Sequence, residues 1–224
     1  MIDADFMVQH IVHWDSQEIT HQEVLSRPKN MGDAPSLEVF FENMAPATQI
    51  EWLKLQLNDV VSRENATNSL NLSATALRAE EHREAVFDLL AGHREPVVLE
   101  ITEGHPMPTP SVANAFFQRL RKLGHRLALD DFGAGESQKM SLIAEYDFDI
   151  IKIDRGVSAR FDDAKVRQHL RVIRSFVSLM NKQCVVEGIE SNDQLNTLRD
   201  LGFTTFQGYF LHRPEQAKRL SDAA

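Results

Sequence analysis

Short apolar runs rich in Val, Ile and Leu alternate with longer stretches at helical spacing along almost the whole chain, and few folds accommodate that rhythm. The strand candidates are 8–14 (VQHIVHW), 19–26 (ITHQEVLS), 69–73, 97–103 (VVLEITE), 126–131 (RLALDD), 149–154 (DIIKID), 183–188 and 204–210. Helical stretches at 47–64, 78–91, 111–123, 138–146, 163–181 and 192–200 separate most of them. The first two strands are joined by a short turn at Asp15-Ser16 and read as an antiparallel hairpin. The others read as repeated βα units, hence a parallel sheet. Eight strands predict an α/β barrel, a modified (βα)8 or TIM-type fold with one antiparallel strand. An open doubly wound sheet is the alternative, but no glycine-rich dinucleotide fingerprint follows an early strand. Residues 28–36 (PKNMGDAPS) form a loop by composition. No Pro/Gly/Ser linker divides the chain, so residues 1–224 are read as one domain.

Side-chain alternation then sorts each strand into two faces. Leu99 and Ile101 share one face and Glu100 takes the other with Val98; Leu127 and Leu129 oppose Ala128 and Asp130; Ile151 and Ile153 oppose Ile150 and Lys152; Leu70 and Leu72 oppose Asn71. If the Leu/Ile faces meet the helices, Asn71, Glu100, Asp130 and Lys152 point into the barrel, near the C-terminal strand ends where barrel active sites are built. Glu23 and Glu187 hold equivalent places, and Asp131 follows Asp130. Charge inside a barrel is costly unless paired or bound to metal. Five carboxylates and one amide suit hard divalent cations such as Mg2+ or Mn2+, and exceed the needs of one ion. Two ions bridged by a carboxylate would serve in-line attack on a phosphodiester. Taken singly, each residue has an ordinary reading: a solvated acid at a strand end, a lysine guarding a sheet edge, a turn. Recurrence at barrel spacing is what those readings do not explain.

At these same positions the chain resembles the EAL-domain family. The signature Glu-Ala-Leu stands as Glu23-Val24-Leu25, followed in order by NLS at 71–73, LEITE at 99–103, DDFGAG at 130–135, IKIDR at 151–155, VVEGIE at 185–190 and QGYFLHRP at 207–214; the similarity runs from about Gln9 to Pro214. The resemblance implies a barrel phosphodiesterase that cleaves one phosphodiester of cyclic diguanylate to linear pGpG with two Mg2+ or Mn2+ ions. By motif, Glu23, Asn71, Glu100 and Asp130 match ligands of one metal, with Asp130 bridging and Asp131 serving the other. Lys152 matches the lysine that orients the attacking water. Glu187 matches a metal- or water-binding acid and a candidate general base. Gln9, Leu25 and Arg27 match substrate-contacting positions; Gln207 matches a second-metal, supporting or substrate position, and Glu190 a second-metal or supporting one. Glu103 matches the acid that holds the loop after Asp131.

The chain departs from the family pattern at His10, Val24 and the loop Gly135-Glu136-Ser137-Gln138, a loop that in the family links the second metal to a homodimer interface. Relatives that have lost catalysis and act as cyclic diguanylate receptors typically lack the signature Glu, an acid of the Asp pair or the Lys. All of these are present here. The QGYFLHRP and EVLSR motifs also argue against a barrel phosphatase for another ester.

The remaining features restrict partners. A net charge of −9 disfavours a nucleic-acid polymer as ligand. No apolar run approaches a membrane span, and the acidic N-terminus lacks a signal-peptide pattern. Cys184 is the only cysteine and reads as an apolar filler. Together these features give a cytoplasmic expectation. None of the nine histidines is spaced as a metal motif, though His21 shares strand parity with Glu23. Leu170, Ile173, Phe176, Val177 and Met180 form an apolar stripe read as core packing.

Overall fold

The computed structural model describes residues 2–60, 67–102, 106–133 and 140–217. The chain opens with a hairpin, β1 (Ala4–His13) and β2 (Glu18–Pro28), followed by helices α1 (Leu37–Glu42) and α2 (Pro46–Asp59). Then come β3 (Thr67–Ser73), a 3-10 turn, α3 (Glu80–Ala91), β4 (Val97–Thr102), α4 (Pro110–Lys122), β5 (Arg126–Phe132), α5 (Met140–Glu145) and β6 (Ile150–Ile153). The last part holds α6 (Arg155–Ser158), α7 (Ala164–Leu179), β7 (Gln183–Val186), α8 (Asn192–Asp200), β8 (Thr205–Gln207) and a two-residue β9 (Glu215–Gln216). Local chemistry sets many of these boundaries. Ser36, Asp163 and Ser191 each accept a hydrogen bond from a backbone N–H of the first turn that follows. Pro46 and Pro110 start their helices where a missing N–H costs nothing.

Strands β2 through β8 pair in order, each parallel to the next. β1 closes the barrel, antiparallel to both β8 and β2. It is the one antiparallel staff of an eight-stranded barrel, as the sequence rhythm requires. The two faces also separate as the alternation predicts. Leu99, Ile101, Leu127, Leu129, Ile151 and Ile153 join the main core with the helices. Ile11, Val98, Ala128, Ile150 and Val185 form a separate small cluster inside the barrel, which floors the site.

Several boundaries shift from the sequence reading. The strand expected over 204–210 stops at Gln207, because Gly208 opens a turn whose carbonyl accepts from Leu211 and His212 N–H. The helix expected over 47–64 ends at Asp59, and residues 61–64 lie outside the described residues. The apolar stripe on α7 ends at Val177: Phe176 is only partly buried, and Met180, just past the helix end, is 39% exposed. α1 and β9 have no counterpart in the sequence reading, since neither carries a long periodic signal.

Candidate active site

Lys152 is the centre of the site. It lies on β6 and is 1% exposed. Its Nζ sits 2.8 Å from Glu100 Oε2, 2.8 Å from Asp130 Oδ1, 2.7 Å from Glu187 Oε1 and 3.5 Å from Glu23 Oε2. These acids come from β2, β4, β5 and the residue after β7, so the constellation exists only once the barrel closes. Glu23 is held from two sides. Asn71 Nδ2 donates to its Oε1 at 2.9 Å, and Gln207 Nε2 donates to its Oε2 at 2.7 Å.

Asp131 reaches the same place by breaking the alternation. Strict pleating would turn it away from Asp130. The β5–β6 register shifts between Leu129 and Phe132, and Asp131 adopts a left-handed backbone with φ 56°. A bulge of this kind re-aims a side chain, and a left-handed Asp stores local strain. Oxygens of Asp130, Asp131 and Glu187 consequently lie within 4.8 Å of one another.

Burial and repulsion shape the ionisation of this set. Burial pushes Glu100 up to about 8, with Lys152 opposing and Glu23 and Asp130 adding repulsion. Burial and the Asp130 charge push Asp131 up to about 7. Glu187 is also raised, chiefly by burial, against the pull of Lys152. Burial works against Glu23 too, but Lys152 and the bonds from Gln207 and Asn71 outweigh it and hold that carboxyl below its usual range. For Lys152, burial favours the neutral amine, and the surrounding carboxylates more than offset it, so the ammonium is held well above its ordinary pKa.

Among the described residues the site carries five carboxylates and one ammonium, a formal net charge of −4 with all five acids ionised. Glu100 Oε1 is buried and has no hydrogen-bond partner among the described residues. Asn71 spends its amide N–H on Glu23, which leaves its oxygen as an acceptor. An excess of hard oxygen donors, one of them orphaned in a buried position, fits divalent cations.

Of the residues singled out from sequence, Glu23, Asn71, Glu100, Asp130, Asp131, Lys152 and Glu187 meet here. Gln9 joins them through Gln207, whose Nε2 donates to Gln9 Oε1 at 3.2 Å. Leu25 and Arg27 continue β2 beyond Glu23; Arg27 is exposed, and its Nη1 donates to Ser26 O. Glu190 is exposed on the loop after β7, with its backbone N–H on Gln194 Oε1. Glu103 and the loop 134–139, with Glu136 and Ser137, lie outside the described residues.

Sequence reasoning passed over the groups that brace Glu187. Ser158 Oγ donates to the Glu187 carbonyl, and Gln194 Nε2 donates to Gly188 O at 3.0 Å. Gly188 (φ 69°) and Gly208 allow the loops to touch: a Cβ on Gly208 would lie 2.2 Å from Ile189 N. His21 is buried on the face of Glu23, and burial holds its imidazole neutral down to about 3.

Residues 5–214 match the family model described as EAL domain. The chain is 28% identical over 222 residues to the probable cyclic di-GMP phosphodiesterase PdeN of Escherichia coli, covering 92% of this chain and 42% of that protein. It is 32% identical over 160 residues to the cyclic di-GMP phosphodiesterase RocR of Pseudomonas aeruginosa, covering 69% of this chain and 40% of that protein. The chain thus spans less than half the length of these curated relatives. Among solved structures, the EAL domain of Mycobacterium smegmatis DcpA matches with a TM-score of 0.70 at 24% identity, covering 95% of this chain and 91% of that one. A manganese and cyclic di-GMP complex of Klebsiella pneumoniae BlrP1 matches with a TM-score of 0.72 at 22% identity, over 94% and 56%. At these identities the structural likeness speaks for the fold.

Proposed function

We propose that this chain, which belongs to the EAL-domain family, is a single EAL domain that hydrolyses one phosphodiester of cyclic di-GMP to linear pGpG. The observation that carries the reading is the complete acid set around a buried, cationic Lys152. A catalytically dead receptor would have no need of it.

We assign Glu23, Asn71, Glu100 and Asp130 as the groups that would hold one Mg2+ or Mn2+ ion, and Asp131 as a group that would hold a second, with Glu187 beside it. Bound there, such ions would polarise the phosphate oxygens and make a water more acidic. The chain's own groups do the rest. Lys152 keeps its proton and offsets the charge that grows on the phosphate oxygens in the transition state. An ionised Glu187 takes the proton of the attacking water. The water oxygen bonds to phosphorus as the bond to the 3′-oxygen breaks, and solvent water gives that oxygen a proton, leaving a 5′-phosphate and a 3′-hydroxyl. We assign Gln9, Leu25, Arg27 and Gln207 to contacts with the nucleotide and Glu190 to support of the second ion's surroundings; the resemblance gives Glu103 a supporting role, and it lies outside the described residues.

Chromatography of cyclic di-GMP incubated with the protein and Mn2+ tests the reading. Accumulation of pGpG is expected. Unchanged substrate after prolonged incubation with excess protein would overturn it.

A further inference from the structure

The end of the chain folds back beside the site. After β8 the backbone turns at Gly208, passes through His212 and joins β1 as β9, where Ala217 N–H donates to Phe6 O at 2.8 Å. At this seam the imidazoles of His10 and His212 stack, with centroids 3.8 Å apart and planes 13° from parallel. The backbone N–H of His10 donates to His212 Nδ1 at 3.3 Å, across 202 residues of sequence.

The pair fixes His212, and the His212 carbonyl oxygen accepts from Gln9 Nε2 at 2.9 Å. The oxygen of the same Gln9 amide accepts from Gln207 Nε2 at 3.2 Å. That nitrogen also donates to Glu23 Oε2, at 2.7 Å. An amide has one donor end and one acceptor end, and rotating it by half a turn exchanges them. Here two amides stand in series between groups that only accept: a carbonyl at one end, an ionised carboxylate at the other. One orientation of both amides satisfies the whole series. If Gln9 turned over, its NH2 would meet the NH2 of Gln207. Gln207 would then have to present oxygen to the Glu23 carboxylate. In the observed orientation Gln207 Oε1 is buried and has no hydrogen-bond partner among the described residues, so it can face a donor or a cation.

We infer that His10 and His212 form a clasp that sets the orientation of the Gln9–Gln207 amide pair and thereby holds Glu23 in its cation-binding pose. His212 is a positioning residue. It touches none of the acids and acts through Gln9. The inference rests on the reading of Glu23 as a cation ligand, and it concerns binding of the ion alone.

Mn2+ titration of metal-free protein by calorimetry, without substrate and with every variant made on a Glu215→Ala background so that His10, His212 and Glu215 cannot together take up the ion, provides the test. His212→Ala should weaken Mn2+ binding about threefold to tenfold, less than the roughly 10- to 100-fold cost of losing a group that directly supports a ligand. Because both residues act in one series, His212→Ala with Gln9→Ala should bind no more weakly than Gln9→Ala alone. His212→Asn, whose amide oxygen can accept from the His10 N–H, should recover most of the loss. Wild-type affinity in His212→Ala overturns the clasp, and so does a double variant in which the two losses multiply. Should His212→Ala not fold by circular dichroism, His10→Ala takes its place, with a smaller loss expected and wild-type affinity again overturning the idea. A wild-type protein that binds Mn2+ but makes no pGpG sinks the proposed function and leaves the clasp standing. A wild-type protein that binds no Mn2+ sinks both.

Discussion

Replacing Lys152 with methionine keeps the shape of the site and removes the only ammonium among its described residues. The side chain is 1% exposed and lies within 2.8 Å of three carboxylates, so solvent cannot replace the lost charge. Removing one partner of a buried ion pair costs about 3–5 kcal/mol. Some of this is relieved here, because Glu100 and Asp131, already at about 8 and about 7, take up protons. A loss of about 3 kcal/mol follows, which for a chain of this size lowers Tm by roughly 6–12 °C in metal-free protein. Divalent cations can displace those protons and neutralise the acids in place of the ammonium, so Mn2+ should restore much of the lost Tm. Turnover should still fall at least ~100-fold, because the ammonium held among the acids no longer offsets charge growing on the phosphate. Scanning calorimetry with and without Mn2+, beside a cyclic di-GMP turnover assay, separates these effects. A metal-free Tm equal to wild type would show that the ammonium does not hold the acids together. Turnover within a few-fold of wild type would show that Lys152 has no part in the chemistry.

Other outcomes follow from the same site. Metal-free protein should lose stability as pH rises from 6.5 to 8: Glu100 and Asp131 have raised folded pKa values, so their contribution is present at low pH and lost as pH passes through about 7 and about 8. Below 6.5 His21 opposes this trend, since its folded value near 3 makes its contribution disappear as pH falls, so the clean window is 6.5 to 8, where a flat urea midpoint would refute the assignment. Ca2+ as the sole cation should bind yet support little turnover, because it takes more ligands at longer distances than Mg2+; full activity in Ca2+ would count against a geometry-critical site. Gly208→Ala should cost about 3 kcal/mol or more, since its Cβ would sit 2.2 Å from the Ile189 backbone; an unchanged denaturation midpoint would mean the two loops separate freely.

The sequence by itself determined the barrel and most of the side chains that meet inside it. A period of two, repeated in strand after strand, is a local property, and it correctly assigned Asn71, Glu100, Asp130 and Lys152 to the face opposite the Leu/Ile core. Motif order was enough to name the family. Tertiary structure decided what depends on contacts distant in sequence or on departures from regular geometry. Asp131 faces its neighbours because a bulge with φ 56° overrides alternation, and no residue-by-residue pattern announces where a strand will slip. Nine histidines without a metal spacing looked structural, yet closing the barrel stacks His10 on His212 and puts that seam in series with Glu23. The physical reason is separation: a hydrogen bond spanning 202 residues leaves no periodicity in the chain and forms only when β1, inserted between β2 and β8, joins the two ends of the sequence.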